Sequence, residues 1–379
     1  MTSRVRLLFI LPDLSAGGAE RTTLRVAGDL SARGFTPTLF LLRRRGELLD
    51  DVPAGVSLAW ALDGDRSLMW NFSAVASSLI KQARRSGDVV IGALEHEATY
   101  LACLCGRTLR RPVAGWVHAV MSEHLKELSP AHTKLARFIY PRLDRIVFPS
   151  QAAASSLATV AEFRPDRTAV ISSYIDTNRV RAEATKNRPE WAANVFANRP
   201  VVIGIGRLVP SKGFGILIRA HAHVLKSGID HNLLILGEGT LRDVLRKLAG
   251  SLGVGDSVFL PGFVSNPYPM LKASALFALP SRFEGLSLAL LEALCLGVPV
   301  IATDCLGGPV SVLDRGRYGT VVPADDAAAL ARAISVLLSD SRSRDAFKEA
   351  GPARASEFST ESVVPLWERL LNEMCGRGL

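Results

Sequence analysis

Two glutamates, Glu284 and Glu292, stand eight positions apart in a segment, residues 280–304, that is otherwise largely apolar. A carboxylate accepts two hydrogen bonds, which suits the vicinal hydroxyls of a sugar or a ribose. The ordinary alternative makes Glu284 a helix-cap residue and Glu292 a solvated helix position. Leu290, Leu291, Ala293 and Leu294 crowd Glu292 and make that alternative uncomfortable there. Between the two acids, the backbone N–H groups of Gly285, Leu286 and Ser287 open a helix and can hold a phosphate.

Upstream, "GIGRLVPSKGF" ends a strand at Gly206 and sets Arg207 and Lys212 around a short loop. Two cations at a strand's carboxyl end can neutralise a diphosphate without a metal. Alone, they also read as solvated surface charges. His118 closes the strand "PVAGWVH", where an imidazole can donate a hydrogen bond or move a proton near neutral pH, or simply be a satisfied structural histidine. His96, between Glu95 and Glu97, is a secondary candidate. Gly17 and Gly18 follow the first strand and precede a helix, so their backbone can approach an anionic ligand or form an ordinary turn. Neither these adjacent glycines nor Gly204 and Gly206, with Val209 at the third position, make the G-x-G-x-x-G of a dinucleotide oxidoreductase. Metal-ligand spacing is not seen.

Strand-like runs of Val, Ile and Leu alternate with helical patterns along the chain. In the first half they are 5–11, 36–42, 89–94, 112–118, 145–150 and 168–174. In the second they are 200–208, 232–239, 257–263, 275–281, 299–304 and 318–323. Continuous apolar strands followed by helices predict parallel sheets covered on both faces. Two such series predict two doubly wound α/β domains, 1–175 and 176–358, with the last helix, within 359–379, packing back on the first. Ligands in such sheets bind at the carboxyl ends of the strands, so two sheets facing each other imply a cleft between the domains.

The chain has 379 residues and a net charge of +9, and residues 1–175 carry 22 Lys and Arg against 16 Asp and Glu. That excess is a solvated surface or a face for an anionic partner, with a membrane surface ahead of nucleic acid because no aromatic residues interleave the cations. The five cysteines form no Cys-x-x-Cys pair, which argues against disulfide scaffolds and zinc sites. Pro12 and Asp13 interrupt the first apolar stretch too early for a secretory signal, so the expected location is the cytoplasm.

Taken together, "SAGGAER" (15–21), His118, "GRLVPSKGF" (206–214), "LGEG" (236–239), "PGFVSN" (261–266) and "FEGLSLALLEALCLGVPVIATD" (283–304) carry a resemblance that spans nearly the whole chain. The sequence resembles a retaining, nucleotide-sugar-dependent glycosyltransferase of the family 4 type, with the GT-B fold of two Rossmann-like domains and an E-x7-E motif in Glu284 and Glu292. The resemblance implies that Arg207 and Lys212 bind the donor diphosphate. It implies that Glu284 contacts the transferred sugar and Glu292 the ribose, while the Leu286-Ser287 backbone holds phosphate. By the same likeness, Gly237, Glu238, Gly239, Gly262 and Phe263 lie near base and phosphates. Gly17 and Gly18 approach donor and acceptor, and His118 stabilises charge at the reacting centre. "CLGGPVSVLDRGRYG" (305–319) lies over the diphosphate or sugar. One departure is Ser173-Tyr174-Ile175-Asp176, where the family often has Asn-Gly-Val-Asp.

The implied reaction moves a hexose or N-acetylhexosamine from a UDP- or GDP-sugar to a lipid-linked or cell-surface saccharide, with no metal or other cofactor. Contact with the inner face of the membrane through the basic first domain is expected. The alternatives are a sugar phosphorylase or epimerase on the same fold, and a nucleotide-sugar-binding protein without turnover.

Overall fold

A computed structural model describes residues 4–15, 17–94 and 96–376. The chain divides into two compact units. One comprises residues 1–173 with 361–379, the other residues 174–360.

The first unit is built on seven parallel strands. They are β1 (Arg6–Leu11), β2 (Thr36–Arg44), β3 (Ser57–Asp63), β4 (Val89–Gly92), β5 (Val113–Trp116), β6 (Arg145–Phe148) and β7 (Thr168–Val170), in the order β3-β2-β1-β4-β5-β6-β7. Most of these strands are apolar on both faces because helices such as Gly18–Ala32 and Glu97–Leu109 cover them. The edge strand β3 is the exception. It is half-exposed and carries Ser57 and Asp63, so it lacks the continuous apolar run by which the others are legible, and sequence reading missed it.

The second unit has β8 (Val201–Ile205), β9 (Asn232–Leu236), β10 (Val258–Gly262), β11 (Leu276–Leu279), a two-residue β12 (Phe283–Glu284), β13 (Val300–Asp304), a two-residue β14 (Leu306–Gly307) and β15 (Thr320–Pro323). Six form a parallel sheet in the order β10-β9-β8-β11-β13-β15, and β12 pairs with β14 apart from it. Alternate residues of β8 enter opposite cores: Val201 and Ile203 pack with Phe277 and Leu290, Val202 with Leu217 and Ile334.

In both sheets the strand order reverses about the first strand, between β1 and β4 and between β8 and β11. At such a switch point neighbouring crossovers leave on opposite faces and the loops part to form a crevice. Gly17, Gly18, Arg207 and Lys212 follow the first strands of the two sheets, and His96 and Glu284 follow β4 and β11, while His118 lies after β5 and Glu292 within a helix. The helix Thr360–Met374 belongs, from Glu361 onward, to the first unit, where Trp367 packs edge-on against Trp116 at 4.6 Å between ring centroids. The preceding helix, Ser341–Ser356, is largely polar and was not legible as a helix.

Candidate functional site

In the second unit the loops after β8 and β11 are stitched together. The Ser211 carbonyl accepts from the Arg282 N–H at 2.8 Å. Gly213, at φ +65°, sits so close to Pro280 that a Cβ there would lie 2.0 Å from the Pro280 oxygen. Only glycine combines that dihedral with that contact. The result carries Lys212 across the switch point to Glu284, and its Nζ donates to Glu284 Oε1.

The same carboxylate oxygen accepts from Ser281 Oγ at 2.8 Å, and Thr303 Oγ1 at the end of β13 donates to the Ser281 carbonyl. Glu284 itself forms part of β12, paired to Gly307 of β14. Gly307 has φ +130°, and a Cβ there would lie 1.5 Å from the Glu284 oxygen. Glu284 is therefore 7% exposed, held from its backbone by one strand and from its side chain by two donors. The 305–319 segment thus buttresses Glu284 through Gly307, and a Cβ on Gly308 would lie 2.8 Å from the Gly285 oxygen.

Glu292 falls on the fifth residue of the helix Leu288–Cys295, just over one turn from its start. It is 9% exposed, and Tyr268 Oη donates to its Oε1 at 3.0 Å. Ser287 caps that helix, its Oγ accepting from the Leu290 N–H at 3.4 Å. Arg207 is exposed and pairs with no carboxylate among the described residues. Glu238 points to Arg242, at 2.8 Å, a pairing of neighbours on the surface. Gly237 and Gly262 have φ +141° and +102° and bring β9 and β10 into line, with the Gly237 N–H donating to the Gly262 carbonyl at 2.9 Å. Phe263 beside them is 56% exposed.

In the first unit, Gly17 caps the helix Gly18–Ala32. The Glu20 carboxylate folds back over it, so that a Cβ on Gly17 would lie 2.0 Å from Glu20 Oε2, whereas Gly18 faces open space. A carboxylate at a helix amino-terminus is favoured by the dipole. The loop before it is anchored by Asp13, which accepts from Ser15 Oγ at 2.7 Å and from Arg45 Nε at 2.8 Å. Burial pushes the Asp13 carboxyl up, but the bonds from Ser15 and Arg45 outweigh it and hold it below the usual range.

His118, half-buried, follows β5 and lies 4.4 Å from the Trp116 ring. His96 begins the helix Glu97–Leu109 at φ +60°, with the rings of His124 at 4.7 Å and His132 at 5.3 Å. Glu95 lies outside the described residues.

Lys212 and Glu284, which sequence reasoning gave to different parts of a ligand, thus meet directly. Ser281, Thr303, Tyr268, Glu20, Asp13 and Arg45 were missed. Position alone offered a signal: Asp13, Arg45, Ser281 and Thr303 each stand at or just past a strand's carboxyl end. Among the described residues, no group of three or more His, Cys, Asp and Glu could hold a metal ion.

Residues 186–354 match the family described as Glycosyl transferases group 1, and residues 16–179 match Glycosyltransferase Family 4. A GDP-mannose-dependent alpha-(1-6)-phosphatidylinositol monomannoside mannosyltransferase of Mycolicibacterium smegmatis is 34% identical over 262 residues, 65% of this chain and 67% of the relative. An N-acetylgalactosamine-N,N'-diacetylbacillosaminyl-diphospho-undecaprenol 4-alpha-N-acetylgalactosaminyltransferase of Campylobacter jejuni is 30% identical over 230 residues, 61% of this chain and 60% of the relative. The match thus spans 60% to 67% of these relatives' own length. Among solved structures, Anabaena HepE in complex with UDP and glucose superposes with a TM-score of 0.82 at 21% identity, covering 98% of this chain and 100% of that one.

Proposed function

The chain belongs to the family 4 type of glycosyltransferases, on the GT-B fold, and from that premise we propose that it transfers a hexose or N-acetylhexosamine from a nucleotide sugar, a UDP-sugar first, to a lipid-linked or cell-surface saccharide. The observation that carries this reading is the Lys212–Glu284–Ser281 cluster at the switch point of the second sheet, flanked by the open Arg207. The neighbour bound to UDP and glucose supports the donor class, and the two relatives named for diphospho-undecaprenol and phosphatidylinositol glycosides support the acceptor class.

In this reading Arg207 and Lys212 neutralise the donor's diphosphate as charge develops on it. Glu284 takes a hydroxyl pair of the transferred sugar and Glu292 the ribose. The amino-terminus of the Leu288–Cys295 helix adds its dipole to the phosphates. Gly237, Gly239, Gly262 and Phe263 border the nucleotide, Gly17 and Gly18 the acceptor side, and His118 hydrogen-bonds the sugar. The anomeric configuration is retained because the acceptor hydroxyl attacks on the leaving-group face and hands its proton to the departing phosphate. No divalent metal takes part, so a chelator leaves the rate unchanged.

A panel of nucleotide sugars in calorimetry, with Arg207→Ala and Glu292→Ala beside the wild type, tests the reading. One UDP- or GDP-sugar should bind the wild type and bind each variant at least tenfold more weakly, the loss of one or two charge-assisted hydrogen bonds of roughly 1.5–3 kcal/mol each. Wild type that binds no nucleotide sugar sinks the proposal. Among the described residues no helix is long and apolar enough to cross a membrane. Peripheral contact between the basic first unit and anionic lipid is part of the proposal, and salt-sensitive flotation with anionic vesicles tests it.

A further inference from the structure

A depression of about 560 Å³ opens on the first unit. It lies at the amino-terminal edge of the sheet, where Pro112 leads into β5 and Asp144 into β6, whereas His118 follows the carboxyl end of β5. Five arginines line it, Arg107, Arg110, Arg111, Arg142 and Arg145. They come from separate elements: the end of the Glu97–Leu109 helix and the turn after it, the turn Tyr140–Arg142, and the first residue of β6. Asp144 and Glu373 are the carboxylates of the wall, so the depression carries a formal excess of three positive charges.

That charge is poorly matched from within. Arg145 approaches Glu373 no nearer than 3.9 Å and otherwise donates to the neutral Asp144 carbonyl at 3.1 Å, and Arg111 approaches Asp88 at 3.7 Å. One oxygen of Asp144 is already taken by the Val113 N–H at 2.9 Å. Arg142 lies on the Phe138 ring and donates to the Phe138 carbonyl. The guanidinium groups of Arg107 and Arg110 meet no acceptor among the described residues. Arg110 also ends its helix at φ +53°, ψ +45°, a left-handed position where glycine is the usual occupant. Five like charges gathered in one hollow repel each other until an anion joins them, and the planar guanidinium fork matches phosphate oxygens two at a time.

We propose that this depression binds a phosphate-bearing anion at a place separate from the donor position. Its volume lies within the range of roughly 300–1,000 Å³ common for small-ligand sites. A soluble diphosphate and an anionic lipid headgroup share the chemistry, and the two arms of the test separate them. The proposal does not rest on the transfer reaction.

The first arm titrates inorganic pyrophosphate into Arg207→Ala protein by calorimetry, so that the donor's diphosphate position is weakened. The second sediments the protein with vesicles of phosphatidylglycerol in phosphatidylcholine. At least one probe should bind, and Arg107→Gln/Arg110→Gln should weaken it tenfold or more, with partial recovery in Arg107→Lys/Arg110→Lys. Binding in the first arm assigns a soluble anion, binding in the second alone a headgroup. Circular dichroism checks the fold, and Arg142→Gln/Arg145→Gln serves as a second pair should the first pair fail to fold. Neither probe binding, or both binding the glutamine variant as tightly as the parent, overturns the proposal.

Discussion

Lys212 keeps 20% of its side chain exposed, while the Glu284 it pairs with is 7% exposed. The two ends of the pair are therefore unequal. Removing the lysine leaves a carboxylate out of water with only Ser281 as donor, at a cost of about 3 kcal/mol. Replacing the carboxylate leaves an ammonium on a flexible stem that can turn to solvent, at a smaller cost. Urea unfolding of Lys212→Ala, Glu284→Gln and the double variant should show the lysine change as the more damaging and the double as less than the sum. Equal single effects that simply add would contradict the inequality.

Gly213 is a second residue whose place tolerates one side chain only. Alanine there meets both the left-handed dihedral and the Pro280 oxygen, so Gly213→Ala should lose about 2 kcal/mol or more. The same denaturation experiment reads it. His221 and His231 give a third expectation. Both are fully buried, linked Nδ1 to Nε2 at 2.8 Å, with His221 Nε2 facing Ser257 Oγ at 2.8 Å. The ends of this run face two carbonyls, Ile229 at 3.2 Å from His231 Nδ1 and Val254 at 3.1 Å from Ser257 Oγ. Two neutral imidazoles and one hydroxyl have three hydrogens for these four contacts, yet a fourth proton would bring a buried charge. Burial, then the neighbouring imidazole, pushes His221 down to about 3, and burial lowers His231 as well. Unfolded imidazoles take up protons below about pH 6.5, so the stability these groups contribute is complete above that pH and lost as pH falls toward 3. The unfolding free energy from urea titration should therefore drop between about pH 7.5 and pH 5, by up to about 1.4 kcal/mol per histidine per pH unit. A flat profile would count against the neutral chain.

At the scale of elements, the strands that hold the site were legible because parallel strands buried on both faces must be apolar throughout, as "VVIGI" and "LFAL" show. The edge strand β3 and the polar helix Ser341–Ser356 were not, since neither carries that signal. The loop ends holding Arg207, Lys212, Glu284 and His118 could be placed because each follows such a strand. What no spacing could disclose is the meeting of Lys212 with Glu284, 72 residues apart, or of Tyr268 with Glu292, because long-range contacts depend on how crossovers fold back. The two-residue pairing of β12 with β14 is equally invisible in sequence, yet it sets where Glu284 stands. Gly307→Ala should thus disturb the site through the backbone. We expect weaker nucleotide-sugar binding by calorimetry, together with lower stability, from a substitution that removes no functional side chain.

For the whole molecule, the allocation of the last helix is decisive. Trp367 is fully buried against Trp116, so Trp367→Ala should cost the first unit about 3–5 kcal/mol. In a calorimetric scan one transition should move down while a second, from residues 174–360, stays in place. Movement of both together would show that the helix stabilises more than its own unit. The allocation also bears on birth order at the ribosome. Synthesis proceeds from the amino to the carboxyl end, and domains tend to close as they emerge. Here the unit begun first waits for residues 361–374 before Trp116 acquires its partner, while residues 174–360 form an unbroken stretch that is complete sooner. The half of the protein translated second is thus the half able to finish folding first, and nascent chains stalled before Trp367 should resist protease in that half and be cut in the other.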